Sequence, residues 1–168
     1  MAHPDLDRCL GPEFVADLES VSLEVLRQRR SLLLDVEGQI SYCRRVAQSR
    51  LDLVSAELSE RRRRGRGTDL AEMVRRLPEI LAMGEPGGLG GEIPPVDPDP
   101  AYLAEVDAAV PPARIVAMGD LNREELTDMA VKLQNVEVKV SVQRSLLHER
   151  IDRLNREIGC RYEKVAAG

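Results

Sequence analysis

Apolar residues recur every seven positions in two long, proline-free segments of the chain. In the first segment, from about Ser22 to Arg64, the repeated residues are Leu26, Leu33, Ile40, Ala47 and Val54. In the second, from about Asn122 to Lys164, they are Leu126, Leu133, Val140, Leu147 and Leu154. Such a heptad repeat is typical of coiled coils, and a helix of roughly 40 residues extends about 60 Å. The pattern therefore predicts two long helices that pack along a narrow seam.

The other half of each seam turns polar at its centre. The apolar residues above occupy heptad position d, and the a positions lie three residues before each of them. These a positions hold Glu37 and Arg44 in the first segment and Glu137 and Arg144 in the second. A plain structural coiled coil gains no stability from charged residues there, so the pattern indicates a further role for both helices.

Glycine and proline concentrate between the two segments. The run from Gly84 to Pro100 contains too many of them for a helix or a central strand, which predicts a linker. Asn122 and Glu125 form a capping-box pattern at the start of the second helix, whereas Ser22 is a weaker cap for the first. Shorter patterns predict a helix at Pro12–Leu18, an amphipathic helix or helix pair at Thr68–Met83 that breaks near Pro78, and a helical turn at Tyr102–Val110.

These signals describe an all-α protein with five parts. They are an N-terminal segment with a short helix (1–21), the first long helix (22–64), a linker with a short amphipathic helix (65–121), the second long helix (122–164) and a tail (165–168).

Composition agrees with long helices and narrows the function classes. Only 2% of the 168 residues are aromatic and 32% are charged, which makes a sandwich, barrel or doubly wound sheet improbable. The net charge of -5 disfavours direct DNA binding. Cys9, Cys43 and Cys160 lack metal-ligand spacing and are expected to be reduced thiols. Without a signal peptide or a membrane-spanning run, we expect a cytoplasmic protein. The sequence shows no catalytic constellation, so we expect no enzymatic activity.

An internal repeat links the two long segments. Shifting the sequence by 100 positions gives eleven identities among the 41 residues from 21 to 61. The informative identities are polar and follow the pattern Glu-x3-Ser-x2-Arg-x3-(Gln or His)-x3-Asp. The residues are Glu37, Ser41, Arg44, Gln48 and Asp52 in the first helix, and Glu137, Ser141, Arg144, His148 and Asp152 in the second.

The spacing of this motif places its five side chains on one face of a helix. At about 100° per residue they fall within an arc of about 80°, along about 22 Å of a helix beside the apolar seam. Arginine binds phosphate or the guanine edge through two parallel N–H groups, and carboxylates accept hydrogen bonds from the guanine N–H groups. The doubled stripe therefore suits a guanine nucleotide. Surface ion pairs at helical spacing are the simpler alternative for one helix taken alone.

The doubled motif resembles the signature of the RsiG family of actinobacterial anti-sigma factors. The resemblance implies an antiparallel intramolecular coiled coil whose two motifs bind two molecules of cyclic di-GMP per monomer. It also implies that the loaded protein holds the sporulation sigma factor WhiG inactive. The ten motif residues become the expected ligand-binding residues, with no metal. His148 departs from the glutamine of the family pattern, which would weaken ligand binding or make it pH-dependent.

The main alternative is a structural coiled-coil scaffold that binds proteins and no nucleotide. Two weaker signals remain open. The basic run Arg61–Arg66 would contact nucleic acid or an acidic partner, or simply favour the end of the first helix. Segment Thr68–Met83 would contact the sigma factor or pack on the coil.

Overall fold

The computed structural model describes residues 3–64, 70–83 and 99–166 of the chain. Within these ranges there are six α-helices and no strand. The helices are α1 (Pro4–Leu10), α2 (Leu23–Arg64), α3 (Leu70–Met83), α4 (Pro100–Ala109), α5 (Pro112–Val116) and α6 (Arg123–Ala166). Within the predicted linker (65–121), residues 70–83, 100–109 and 112–116 are α-helical, whereas residues 65–69 and 84–98 lie outside the described residues.

The two long helices, α2 and α6, form an antiparallel pair. Arg30 of α2 donates to Asn155 of α6 over 2.6 Å, whereas Arg61, at the other end of α2, bonds the backbone carbonyl of Met118 just before α6. Residue numbers therefore rise along one helix as they fall along the other. The predicted all-α fold with an antiparallel coiled coil is confirmed.

The start of each long helix follows its predicted cap. The backbone N–H of Glu125 donates to the side chain of Asn122 over 3.0 Å, and the N–H of Asn122 donates back to Glu125 over 2.8 Å. Ser22 makes a single cap bond, from the N–H of Val25. The stronger sequence signal thus corresponds to the fully reciprocal capping box.

All ten apolar d residues are buried between the helices. The second buried row lies three residues after the d positions, where Val36 and Cys43 of α2 and Met129 and Val136 of α6 are buried. The polar a positions lie on the opposite edge of the seam and stay partly exposed. One edge of the seam is therefore apolar and covered, and the other is polar and open.

The short helices cover the apolar edge. Val106 and Val110 at the end of α4, Met118 before α6, and Leu6 and Cys9 of α1 join the same hydrophobic core. The predicted helix at Pro12–Leu18 is a single 3-10 turn, Pro12–Val15. These segments close the apolar edge, and among the described residues the polar edge at the centre of the coil stays open to a ligand.

Arginine side chains fasten the short helices at equivalent places in the two halves. Arg50 donates to the carbonyl of Val110 over 2.8 Å and to Asp107 over 2.6 Å. Arg150, 100 positions later, donates to the carbonyl groups of three residues at the end of α1: Cys9, Leu10 and Gly11. The structural repeat therefore includes the ends of α1 and α4 as well as the two long helices.

A second pair of arginines repeats this arrangement at the helix starts. Arg61 bonds Glu57 and the carbonyls before α6, while Arg161 bonds Glu157 and the carbonyls before α2. Arg61 belongs to the basic run noted in the sequence, so its first member is structural. Arg50, Glu57 and Arg61 are themselves among the eleven identities of the repeat, so the sequence carried a signal for these structural residues beside the motif.

Helix α3 corrects one prediction. It continues through Pro78, where the sequence predicted a break. Proline removes one backbone hydrogen bond and normally costs about 3 kcal/mol in a helix interior. Here Met73 and Ile80 bury an apolar face of α3 on both sides of the proline, which keeps the helix in place.

We expect Arg150→Ala to lower the free energy of unfolding by about 1–3 kcal/mol, because three carbonyl groups lose a charged donor. Thermal melting followed by circular dichroism should show a drop of roughly 2–4 °C per kcal/mol. Arg153→Ala, an exposed position on the same helix, is the matched control and should melt within about 0.5 kcal/mol of wild type. Equal melting of the two variants would contradict a fastening role.

Candidate ligand-binding site

Eight of the ten motif residues meet at the centre of the coil in two clusters of four, here together called the central network. It consists of Glu37, Ser41, Arg44 and Gln48 of α2, and Glu137, Ser141, Arg144 and His148 of α6. Their heptad positions place them on the open edge of the seam, and the antiparallel register brings the two sets face to face.

One half of the central network is organised around Glu137. The Nε of Arg44 donates to Glu137 Oε1 over 3.2 Å and to Ser141 Oγ over 3.0 Å, so this arginine crosses from α2 to α6. Ser141 donates to the same carboxylate over 2.9 Å. The side-chain amide of Gln48 donates to it over 3.4 Å. One carboxylate oxygen therefore collects three donors from two helices.

The other half repeats this geometry around Glu37. The Nε of Arg144 donates to Glu37 Oε1 over 3.1 Å and to Ser41 Oγ over 2.9 Å. Ser41 donates to Glu37 over 2.6 Å. His148 Nε2 lies 3.1 Å from Glu37 Oε1, in the place that Gln48 takes in the first half. The imidazole thus lies beside the same carboxylate oxygen as the amide does in the first half, which explains how the motif accommodates this substitution.

The two halves are related by a pseudo-two-fold axis across the coil. Each contact in one half has its counterpart when 100 is added to the residue of α2 and subtracted from the residue of α6. A two-fold symmetric ligand, or a pair of like ligands, could contact both halves in the same way.

Both arginines keep their terminal nitrogens for other partners. Within the described residues, Arg44 and Arg144 use only Nε in the central network. The Nη groups complete the planar fork that binds phosphate or guanine through two parallel bonds. The side chains of Arg44 and Arg144 are 27% and 41% exposed, against 15% and 18% for Glu137 and Glu37. The carboxylates thus form the floor and the guanidinium groups the rim.

The two motif aspartates stay outside the central network. Asp52 lies further along α2 and borders a cavity between α2 and α3, where burial raises the pKa of its carboxyl group. Asp152 is exposed at the corresponding place on α6. The motif pattern grouped all five residues of each helix equally, but the structure separates the last residue from the other four.

The cysteines offer no reactive thiolate at the site. Burial is the main cause that raises the pKa of Cys9 and of Cys43 to about 11, so both thiols stay protonated at neutral pH. Cys160 is exposed and lies near the end of α6.

No group of three or more metal-ligating side chains occurs in residues 3–64, 70–83 and 99–166. None of the described helices combines the length and apolar content that crossing a lipid bilayer requires.

Comparison with known proteins finds a family similarity in the first half of the chain. Residues 12–81 match the RsiG-like family model, a range that includes all of α2 with its motif and most of α3. No curated protein and no solved structure matches the chain. The family match points to a role of the anti-sigma factor type. Over this segment, the chain is similar to the RsiG-like family.

Proposed function

We propose that the protein is an anti-sigma factor that binds two cyclic di-GMP molecules at its central network. The loaded protein would sequester a WhiG-type sporulation sigma factor and block transcription, as a cytoplasmic monomer and without an enzymatic step. The observation that carries this proposal is the doubled, pseudo-symmetric cluster of Arg, Glu and Ser that faces solvent on the open edge of the coil.

The chemistry of the central network suits a guanine dinucleotide. The Nη forks of Arg44 and Arg144 would bind phosphate or the O6/N7 edge of guanine. Carboxylates accept from the guanine N–H groups, and the serine hydroxyls reach phosphate or ribose. Cyclic di-GMP is two-fold symmetric, as is a stacked pair of these molecules, so the ligand and the site would share their symmetry.

The balance of energies favours exchange of the present ion pairs for ligand contacts. The Arg–Glu pairs are partly exposed, and such pairs contribute about 0–1 kcal/mol. Charge-assisted bonds to a phosphate are stronger, about 1.5–3 kcal/mol each. A ligand that bonds the arginine Nη groups need not break every Nε contact. The central network would therefore hold the arginines in position and cost little to rearrange.

Ligand binding would act on the sigma factor through the coil. A molecule that bridges α2 and α6 restricts their relative motion before the partner binds, which lowers the entropy lost on association. Helix α3, our candidate sigma contact, presents the exposed Val74 next to the coil. The ligand and the sigma factor would then stabilise the same arrangement of helices.

A protein-binding scaffold without nucleotide remains the second candidate because of one surface. Val131, Val138, Val142 and Leu146 are 40–56% exposed on the outer face of α6. Exposed apolar rows on a helix are typical of protein contacts. These exposed residues would suit a protein partner of an anti-sigma factor as well as one of a scaffold. A scaffold role leaves the central network unexplained, so the anti-sigma proposal accounts for more of the structure.

We expect isothermal titration calorimetry to give two cyclic di-GMP molecules per chain, because each half of the central network offers one set of contacts. Cyclic di-AMP is the control ligand: adenine has no N1–H or N2–H to donate to a carboxylate, so its binding should be much weaker. A ratio of one, or ligand-dependent formation of dimers in analytical ultracentrifugation, would contradict two intramolecular half-sites.

Replacing either arginine of the central network should weaken binding strongly. Loss of a charge-assisted bidentate contact is worth about 1.5–3 kcal/mol, so Arg44→Ala or Arg144→Ala should lower affinity at least about tenfold. Arg45→Ala is the matched control, since Arg45 bonds a carbonyl of its own helix. Helical circular dichroism should persist in all three, and its collapse in the first two would make these arginines structural.

Sigma-factor binding should depend on the nucleotide. A coupling of about 1–3 kcal/mol corresponds to a 5- to 150-fold difference in affinity between the loaded and empty protein. The measurement is a pull-down of a WhiG-type sigma factor with and without cyclic di-GMP, using wild type and the double variant Arg44→Ala/Arg144→Ala. Recovery should occur only for wild type with ligand. Equal recovery in all four lanes would remove the gate, and no recovery in any lane would favour the scaffold.

A further inference from the structure

A cavity of about 400 Å³ opens between α2 and α3 where the motif stripe of α2 ends. Asp52 belongs to both features: it is the last residue of the first motif and part of the cavity wall. The opposite wall comes from α3 through Arg76 and Ile80, and Ser55 and Ser59 of α2 complete the floor. The cavity thus continues the stripe beyond the central network.

A buried carboxylate anchors α3 at this place. Glu60 has a side chain only 5% exposed, and it accepts from Arg76 of α3 over 3.2 Å and from Arg63 of α2 over 2.9 Å. Ile80 of the same helix is also buried. Arg76 reaches Glu60 through Nη1, and most of the five N–H donors of its guanidinium group are left for another partner.

The walls of the cavity select for one kind of ligand. A simple anion would be attracted by Arg63 and Arg76 but repelled by Asp52 and Glu60. A nucleobase joined to a phosphate fits better, because the base can donate N–H groups to Asp52 while a guanidinium group lies over its face or bonds the phosphate. Ile80 supplies an apolar surface for the base. Burial raises the pKa of Asp52, which agrees with a carboxyl group set back from bulk water.

Among the described residues, Asp152 at the other end of the coil has no third helix packed beside it as α3 is beside Asp52. Asp152 is exposed, and a separate surface depression near it is bordered by residues 17–20 without including Asp152. The positions that correspond to Ala56 and Ser59 hold Arg156 and Gly159. The central network is therefore symmetric, but its surroundings are not.

We propose that α3 forms a third wall of the guanine-nucleotide site at the Asp52 end, with Arg76 and Ile80 contacting the bound nucleotide there and only there. This inference rests on the proposed function. The two half-sites then differ: the ligand at the Asp52 end binds three elements, and the ligand at the Asp152 end binds two. Occupation of the first half-site also ties α3 to the coil.

The test compares cyclic di-GMP titrations of wild type, Arg76→Gln and Ala56→Leu, with Arg75→Gln on the exposed side of α3 as the matched control. Arg76→Gln removes the cationic contact but also loosens the bond to Glu60. Ala56→Leu fills the cavity and keeps that bond. Each should weaken one of the two binding steps at least fivefold and leave the other unchanged, and Arg75→Gln should match wild type.

Amide hydrogen exchange gives a second test. If α3 had only a structural role, its exchange rates would not respond to the ligand. Cyclic di-GMP should slow amide exchange across 70–83 in wild type, and much less in Ala56→Leu. Unchanged titrations for both variants, or equal weakening of both binding steps, would overturn the role of α3. In either case, binding of cyclic di-GMP to wild type would leave the proposed function intact. Absence of binding to wild type would instead remove the proposed function itself, and this inference with it.

Discussion

The register between the two long helices is the constraint on which the site depends. In the observed register, Arg44 faces Glu137 and Arg144 faces Glu37. A slip of one heptad keeps apolar d residues in the seam but places Arg44 opposite Arg144 in one direction and Glu37 opposite Glu137 in the other. Facing like charges destabilise a coiled coil. The charged a positions therefore exclude alternative registers that the leucine rows alone would allow.

Stability and specificity have different sources in this coil. Burial of an aliphatic side chain contributes about 1.5–3 kcal/mol, and ten d residues are buried between the helices. The partly exposed ion pairs contribute about 0–1 kcal/mol each. The apolar seam thus holds the helices together, and the central network chooses how they align. Because it carries little of the stability, the network is free to exchange partners with a ligand.

Symmetry is kept where a symmetric ligand would bind and lost elsewhere. Both halves contain a short helix, a tight turn, an arginine that fastens them and a long helix, as the pairs Arg50/Arg150 and Arg61/Arg161 show. Helix α3 lies between the halves in sequence and, of the two long helices, packs mainly on α2. The exposed Val131, Val138 and Val142 of α6 also lack aliphatic counterparts, since the same positions of α2 hold Ser31, Gly38 and Tyr42. A single sigma factor could use these unequal faces.

Sequence alone determined the two long helices, their capping at Asn122, the apolar seam and the identity of the motif residues. These features follow from local periodicity, since the heptad spacing and the motif spacing each fix which side chains share a helix face. The same spacing treats Asp52 and Asp152 as equivalent. Their different exposure depends on α3, which packs beside Asp52 and not beside Asp152.

Tertiary structure decided the contacts that join distant parts of the chain. Helix α3 continues through Pro78 because Met73 and Ile80 are buried on either side of it, a gain that a local rule about proline does not include. The covered edge of the seam follows from the docking of α1 and α4, whose short sequences carry weak helical signals. The pairing of each arginine with the opposite helix follows from register, which arises only when two helices meet. Local spacing fixes which residues share a face, and packing fixes what that face meets.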